Sequence, residues 1–367
     1  MRRPRSDATP ALISTPEEVS ASWLTDVLHH AGVAPKARVR SFRAQTVGTG
    51  QMGTNVRFEL DWSEPEPGAP ASVVGKFPSS NPTSRQTGAM QGVYLREVRF
   101  YQELVQRVRI RTPRCFFADV AANAADFVML MEDIAPADPG DQLAGCGPDR
   151  AALALEELAR LHAPVWGDAG LDRLEWLSRP GPEGATLLKA LYDSVFPGFV
   201  ARYSERLAPE AIALAERLGQ GLPHWSLAAR GPMTLTHGDY RLDNMLFGTG
   251  GDAPPLAVVD WQTVAQGYAL SDASYFLGAG LSPEARRTNE KALLREYHAR
   301  LRANGVGGYG WEDCWRDYRL FSFSGLIMAV VASMIVEQTD RGDDMFMVMA
   351  SRHAVQALDL DADEFLK

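Results

Sequence analysis

The segment Thr234–Gly248, TLTHGDYRLDNMLFG, crowds hydrogen-bonding side chains between two short apolar runs. The polar residues in it are His237, Asp239, Arg241, Asp243 and Asn244. The two apolar runs predict short strands, and LAVVD (256–260) predicts a third strand after the turn GTGGDAPP. If the last two strands pair as an antiparallel hairpin, Asn244 and Asp260 come to the same edge.

A carboxylate and an amide oxygen at one edge would suit a hard cation. Mg²⁺ prefers oxygen ligands and keeps water or substrate phosphates in its remaining positions. We therefore predict that Asn244 and Asp260 bind magnesium. Asp239, five residues before Asn244, would face that ion and is a candidate proton acceptor.

The N-terminal third combines strand patterns with helices. STPEEVSASWLTDVLHHAG predicts a first helix, and residues 41–62 predict a hairpin with a glycine-rich tip. The strand SVVGKF carries one charged residue, Lys76. A helix predicted over 88–108 places Glu97 on its apolar stripe, so we expect the carboxylate to pair with Lys76. The alternatives are a solvent-exposed Glu97, or local pairing with Arg96 or Arg99.

The boundary between two parts of the chain is predicted near residue 134. The apolar strand FVMLMEDI (127–134) ends there, and the turn-rich APADPGDQLAGCGPD follows. Helical periodicity dominates from Arg150 onward. We predict an α+β fold with two lobes, which suits a chain of 367 residues. Residues 1–134 would form the N-lobe with its antiparallel sheet. Residues 135–367 would form a mostly helical C-lobe that contains a substrate pocket and the segment 237–244, which we call the polar loop.

In order and spacing, these features resemble the protein-kinase-like fold. HGDYRLDN carries His-Gly-Asp where eukaryotic protein kinases have His-Arg-Asp, and VVDWQ stands in place of Asp-Phe-Gly. The chain thus resembles the aminoglycoside phosphotransferase and choline kinase superfamily, particularly its ecdysteroid-kinase-like members. LREVRFYQEL, MLMEDI and DWQTVAQGYALSDASYFLGAGL are similar to segments of those members, over roughly residues 45–300.

The resemblance implies ATP and Mg²⁺ as cofactors and assigns roles by position. Asp239 would be the catalytic base, and Asn244 and Asp260 the magnesium ligands. Lys76 would contact the nucleotide phosphates, with Glu97 orienting it. The nucleotide loop would include Gly48, Gly50 and Gly53, and the backbone of Met131 and Asp133 would meet the adenine. Arg241 would lie near the transferred phosphate or an anionic substrate; the alternative is a solvated loop cation.

The expected activity is ATP-dependent transfer of a phosphoryl group to a hydroxyl of a small molecule. A lipophilic or sterol-like alcohol, an amino alcohol and an aminoglycoside all remain open as acceptors. The alternative is a nucleotide-binding, pseudokinase-like module without transfer activity. A protein kinase is disfavoured because no Ala-Pro-Glu follows Asp260 and because Asp272 comes only 12 positions after it.

Three polar residues near the motifs are expected to be structural. His237 would brace the polar loop, and His162 would be a packed histidine at a helix end. Asp272 would cap a helix or brace the loop. None of the three is assigned a chemical role.

Charge and cysteine content narrow the class of protein further. The net charge is -9, and residues 135–367 carry 21 basic against 32 acidic residues, which argues against nucleic-acid binding. Three cysteines without metal spacing disfavour disulfides or zinc, and no secretory signal pattern opens the chain, so we expect a cytoplasmic protein. The uncharged run Leu320–Val336 predicts a buried core helix instead of a membrane span. The sequence does not specify an oligomeric state.

Overall fold

The computed structural model describes residues 9–48, 52–64 and 66–367, which separate into two compact units. Unit 1 contains the described residues up to Gln106, together with Thr112–Pro136 and Val259–Thr263. Unit 2 contains Arg107–Arg111, Ala137–Val258 and Val264–Lys367. Each unit therefore holds one short segment that is distant in sequence from the rest of it.

Unit 1 is built on an antiparallel sheet with helices. The helices are α1 (Ala21–His30), α2 (Pro82–Met90) and α3 (Val93–Arg99). The strands are β1 (Val39–Val47), β2 (Gly53–Trp62), β3 (Ser72–Pro78), β4 (Cys115–Val120) and β5 (Phe127–Glu132), in the spatial order β1-β2-β3-β5-β4. The register pairs Asn55 with Lys76 and Lys76 with Met129, which makes β3 an interior strand.

The first helix of unit 1 covers one face of this sheet. The Ser20 hydroxyl caps α1 by accepting from the Trp23 N–H at 3.1 Å. The helix then buries apolar side chains against strand residues; the shared cluster includes Leu24, Val27, Leu28, Phe58, Val73, Phe77 and Leu130. Each large side chain buried in this way contributes about 1.5–3 kcal/mol, so the cluster holds β3 firmly in the sheet.

The prediction of a single helix over residues 88–108 is wrong, because the structure has a break at residues 91–92. Helix α2 ends at Met90, and Gly92 turns the chain with a φ of +67° before α3 begins. Glycine adopts this left-handed backbone at little cost because it has no Cβ. After α3 the helix continues with a wider turn over Phe100–Leu104, so the Glu97 face stays helical.

Unit 2 is mostly helical. Its strands are β6 (Ala137–Pro139), β7 (Thr234–Thr236), β8 (Met245–Gly248), β9 (Ala257–Val258) and β10 (Ala265–Gly267). Its helices are α4 (Pro148–His162), α5 (Pro182–Tyr203), α6 (Pro209–Ala228), α7 (Ala269–Gly280), α8 (Pro283–Ala303), α9 (Trp311–Leu320), α10 (Ser324–Ile335) and α11 (Asp340–Asp359). Together with unit 1, this arrangement confirms the predicted α+β class.

Short strands hold both ends of the polar loop in unit 2. β7 pairs with β10, and β8 pairs with β9 and β6. The predicted β8–β9 hairpin is confirmed, with Met245 opposite Val258. The loop between β7 and β8 therefore begins and ends in antiparallel ladders, which restrict its backbone.

The most apolar stretch of the described chain lies within unit 2. Residues 311–335, which span α9, a turn and α10, meet the length and hydropathy of a membrane span. Within its most apolar window, 67% of the residues are buried inside the protein. This burial fits the core helix that the sequence predicts.

We predict that Gly140→Ala will destabilise unit 2. Gly140 follows β6, donates its N–H to the Met245 carbonyl at 2.8 Å, and a Cβ there would overlap the backbone carbonyl of Leu242. Forced displacement of packed backbone costs about 1–3 kcal/mol. Chemical denaturation measures this change in the free energy of unfolding.

Gly184→Ala is the matched control for this prediction. Gly184 lies in α5, and a Cβ there meets nothing within 4 Å. Alanine in a helix is favoured over glycine by up to about 1 kcal/mol, so this variant should be neutral or stabilised. Equal denaturation midpoints for the two variants would contradict the close contact between Gly140 and Leu242.

Candidate active site

Lys76 is a buried cation in the interior of the unit 1 sheet. Its side chain on β3 is 7% exposed, and its Nζ lies 2.6 Å from Glu97 Oε2. The same Nζ lies 2.9 Å from Asp260 Oδ1. We call Lys76, Glu97 and Asp260 the Lys76 cluster. The predicted pairing of Lys76 with Glu97 is confirmed, and the solvent-exposed alternative for Glu97 is wrong.

The two carboxylates of the Lys76 cluster explain why the buried Lys76 ammonium remains charged. Burial alone would lower the pKa of the Lys76 ammonium, but the carboxylates of Asp260 and Glu97 outweigh it and raise the pKa. Burial raises the pKa of Glu97, and Lys76 opposes that shift. The ammonium therefore stays charged and is held between two carboxylates.

The segment around Asp260 is anchored to α3. The Trp261 N–H donates to Glu97 Oε1 at 3.2 Å, and the Trp261 ring stacks on Phe100 with centroids 3.9 Å apart. Arg96 Nε donates to the Gln262 carbonyl at 3.0 Å. Asp260 itself has a φ of +66°, which costs a non-glycine residue about 1–2 kcal/mol. These contacts of its neighbours hold the strained backbone in place.

Two of the three predicted nucleotide-loop glycines can be placed. Gly48 has a φ of +76°, a conformation that favours glycine. Gly53 opens β2, and a Cβ there would lie 3.1 Å from the Phe77 carbonyl and 3.6 Å from Lys76 Cε. Glycine thus keeps the space beside the Lys76 chain open. Gly50 lies outside the described residues.

Met131 and Asp133 lie at the end of β5, beyond the residue that pairs with Lys76. Met131 pairs with Val74 on β3. The Asp133 carboxylate accepts from Arg57 Nε at 2.7 Å, from its Nη2 at 2.9 Å, and from the Ser72 hydroxyl at 2.7 Å. The side chain of Asp133 therefore fixes the strand end, and the predicted contact of its backbone with adenine stays a prediction.

In unit 2, Asp272 braces the polar loop. Its carboxylate accepts from the His237 N–H at 2.7 Å and from the Gly238 N–H at 3.0 Å. His162 packs beside it, with Nδ1 2.7 Å from the Tyr297 hydroxyl. The predicted bracing by Asp272 and the packing of His162 are confirmed. His237 Nδ1 accepts from the Asp239 N–H at 3.3 Å, as its predicted bracing role requires.

The Asp239 carboxylate is held by three side chains. Arg241 Nε lies 3.0 Å from Oδ2, Asn244 Nδ2 lies 3.0 Å from Oδ2, and the Tyr275 hydroxyl donates to Oδ1 at 2.9 Å. We call Asp239, Arg241, Asn244 and Tyr275 the Asp239 cluster. Three donors that converge on one carboxylate fix its orientation.

Asn244 is oriented by the loop that contains it. Its Nδ2 donates to the Asp239 carbonyl at 2.9 Å and also to the Asp239 carboxylate. Because both amide hydrogens are directed at Asp239, the amide oxygen of Asn244 faces away from it. An amide oxygen is among the ligand types that hard cations accept.

Arg241 is an ion-paired residue and not the solvated loop cation of the alternative interpretation. Its side chain is 19% exposed and forms salt bridges with Asp239 and Asp243. Burial would lower the pKa of Arg241, but its interactions with Asp239, Tyr275 and Asp243 together raise that pKa. Nη1 also contacts Met345 Sδ of α11 at 3.1 Å.

Two contributors to these clusters were not assigned from the sequence. Tyr275 lies three residues after Asp272, so the two share one face of α7, and that spacing was the available signal. Trp261 follows Asp260 directly, but its stacking on Phe100 depends on residues distant in sequence. No pattern within either local segment indicates that contact.

Comparisons with known proteins point to the phosphotransferase family that the sequence resembles. A model of the phosphotransferase enzyme family (APH) matches residues 84–320. The GDP and kanamycin complex of APH(2")-IIia has a TM-score of 0.56 at 15% identity, with 91% of this chain and 98% of that chain covered.

Two further solved structures are similar in fold. The choline kinase from Cryptosporidium parvum Iowa II has a TM-score of 0.54 at 10% identity, with 87% of this chain and 89% of that chain covered. The Plasmodium vivax ethanolamine kinase has a TM-score of 0.50 at 12% identity, with 90% and 86% covered. At these identities the likeness shows the fold alone, and the predicted fold family is confirmed. No curated protein sequence matches the chain.

We predict that Lys76→Met will destabilise unit 1 by about 3–5 kcal/mol, because it leaves two carboxylates without their buried cation. Lys36→Met removes an exposed ammonium from the same unit and should change the free energy of unfolding by less than about 0.5 kcal/mol. Urea denaturation followed by tryptophan fluorescence measures both. A Lys76→Met variant as stable as Lys36→Met would show that the buried pair contributes little.

Proposed function

Because the chain belongs to the phosphotransferase enzyme family, we propose that it transfers the γ-phosphate of ATP to a hydroxyl of a small molecule. The observation that carries this proposal is the Asp239 cluster, in which a carboxylate is oriented by three donors in a braced loop. Such a carboxylate can accept the proton of a hydroxyl that attacks phosphorus.

The Lys76 cluster would bind the nucleotide. Lys76 keeps its charge although it is buried, and a fixed cation of this kind suits the nucleotide phosphates. Glu97 holds the ammonium in position, and the glycine at position 53 keeps the adjoining space open. Met131 and Asp133 are proposed to meet the adenine through their backbone, with Gly48 and Gly50 in the nucleotide loop.

Asn244 and Asp260 are proposed as the ligands of a magnesium ion, which would neutralise charge on the phosphates. The donor chemistry fits, because one residue offers an amide oxygen and the other a carboxylate. Among the described residues, no three histidine, cysteine or acidic side chains cluster as a metal site. Mg²⁺ commonly keeps water and substrate phosphate oxygens as its remaining ligands, and we propose the same here.

Asp239 would act as the base in the transfer. It would take the hydroxyl proton while the acceptor oxygen bonds to the γ-phosphorus and the bond from that phosphorus to the bridging oxygen breaks, which releases ADP. Arg241, whose Nε lies 3.0 Å from Asp239, would hold the carboxylate and offset charge on the transferred group. Pre-positioned groups of this kind account for most of the catalysis of phosphoryl transfer.

Among the three acceptor classes, an apolar face on unit 2 favours the lipophilic alcohol. Leu187 and Leu191 are exposed by 70% and 38%, and they share a face of α5 with Gly198. A Cβ at Gly198 would meet Met334 Cε of α10, and the neighbouring Ile335 is 47% exposed. Exposed apolar side chains on one helix face suit an apolar ligand.

Helix α11 links this apolar face to the Asp239 cluster. Tyr203, at the end of α5, donates its hydroxyl to Asp343 Oδ1 at 2.6 Å. Two residues later, Met345 contacts Arg241 in the polar loop. A lipophilic acceptor on the face of α5 and α10 would therefore lie in the same unit as the proposed base.

We expect Asp239→Asn to lower kcat about 10²–10⁴-fold, because an amide cannot accept the hydroxyl proton. The assay incubates the protein with MgATP and panels of lipophilic alcohols, amino alcohols and aminoglycosides, and measures phosphorylated product. Asp252→Asn, an exposed turn residue of unit 2, is the matched control and should keep full activity. Transfer that Asp239→Asn leaves unchanged would refute the assignment of the base.

We expect Leu191→Gln to raise KM for a lipophilic acceptor about tenfold, with KM for ATP unchanged, because an apolar contact with the bound acceptor is lost. Leu358→Gln is the control: Leu358 is 40% exposed, close to the 38% of Leu191, and lies near the far end of α11. Initial rates across acceptor concentrations give both constants. An equal effect of the two substitutions would exclude the α5 face as the acceptor site.

A further inference from the structure

Tyr275 is a buried residue of α7 whose hydroxyl reaches the proposed base. The side chain is 5% exposed, and its hydroxyl donates to Asp239 Oδ1 at 2.9 Å. The same helix carries Asp272, which braces the backbone at His237 and Gly238. One helix thus holds both the backbone of the loop and the carboxylate that the loop presents.

The hydrogen bond from Tyr275 is directed at one particular oxygen of the carboxylate. Asn244 donates to Oδ2, and Arg241 Nε lies 3.0 Å from Oδ2 and 3.1 Å from Oδ1. Asn244 and Arg241 belong to the polar loop itself, whereas Tyr275 belongs to a different element. Within the Asp239 cluster, Tyr275 is therefore the donor that ties the carboxylate to α7.

The ring of Tyr275 is itself locked in place. It stacks on His353 of α11, with centroids 5.6 Å apart and planes at 25°. Burial lowers the pKa of His353 to about 4, so the imidazole is neutral, and its Nδ1 lies 3.0 Å from Gln356 Oε1. A Cβ at Gly278 or Gly325 would overlap the His353 ring, so two glycines make room for this support.

The hydroxyl of Tyr275 keeps its proton. Burial and the neighbouring charge of Asp239 both raise its pKa well above the usual range. The phenol is therefore a permanent donor at neutral pH.

We propose that Tyr275 is a positioning residue that holds the Asp239 carboxylate in the orientation that receives the acceptor's proton. This inference rests on the proposed function, because it gives Asp239 the role of base. Misplacement of a reacting group by about 1 Å can cost about 10²-fold in rate. Loss of one hydroxyl group should therefore appear mainly in kcat, since Tyr275 contacts the proposed base.

The test is Tyr275→Phe, which removes the hydroxyl and keeps the ring on His353. The probe is MgATP with water as the phosphate acceptor, so that no alcohol needs to be known. We expect kcat to fall about tenfold or more, with KM for ATP unchanged. An unchanged kcat, or a rise in KM for ATP without a fall in kcat, would overturn the inference.

Tyr309→Phe is the matched control. Tyr309 is also a buried tyrosine of unit 2 whose hydroxyl donates to a carboxylate, that of Asp317, at 2.9 Å. Both variants lose one tyrosine–aspartate hydrogen bond and should lose similar thermal stability, but Tyr309→Phe should keep kcat. A fall in kcat common to both would assign the effect to stability and overturn the inference.

A double variant tests whether Tyr275 affects the rate through Asp239 or independently of it. In the Asp239→Asn background, Tyr275→Phe should not lower the residual rate further, because the group it orients is gone. A further loss equal to that in the wild-type background would show that Tyr275 acts elsewhere. If Asp239→Asn keeps the wild-type rate while Tyr275→Phe lowers it, the proposed base fails and this inference fails with it.

A crystal structure of Tyr275→Phe gives a readout that does not depend on activity. We expect the Asp239 carboxylate to rotate toward Arg241 and Asn244, its remaining donors, while the aromatic ring of the substituted residue stays on His353. An Asp239 side chain that keeps its wild-type rotamer in the variant would overturn the positioning role even if the enzyme is active. A rotated carboxylate supports it even if the proposed acceptor class is wrong.

Discussion

A buried ammonium group at position 76 constrains the architecture of unit 1. A charge of this kind inside a protein costs several kcal/mol unless opposite charges and hydrogen bonds compensate it. Glu97 from α3 and Asp260 from the segment Val259–Thr263 supply that compensation. Strand, helix and a segment distant in sequence are thereby required to meet at one atom, Lys76 Nζ.

In unit 2, a buried carboxylate likewise holds separate parts of the chain together. Asp272 is 2% exposed and satisfies two backbone N–H groups of the polar loop, so the loop has a fixed conformation before any ligand binds. Asp239 then receives donors from both the loop and α7. Pre-organisation of this type places the cost of ordering the site in folding instead of in ligand binding.

Much of this arrangement was predictable because it is encoded in short segments. The β8–β9 hairpin follows from two apolar runs around a glycine-rich turn, and the burial of Glu97 follows from its place on an apolar stripe. The break at Gly92 was missed, because the apolar spacing continues across it and a glycine inside a helical pattern is often tolerated. Trp261 was missed as a support of α3, since its partner Phe100 is 161 positions away in the chain.

The sequence by itself determined the residue types, their order and their local geometry: a strand lysine, a helix glutamate, a polar loop between strands and an aspartate after the last strand. These depend on periodicity and turn chemistry, which act over a few residues. Only the tertiary structure decided that Tyr275 reaches Asp239, that Arg241 is ion-paired, and that His353 supports the tyrosine ring. Such contacts depend on how whole helices pack, and packing is set by side chains far apart in the chain.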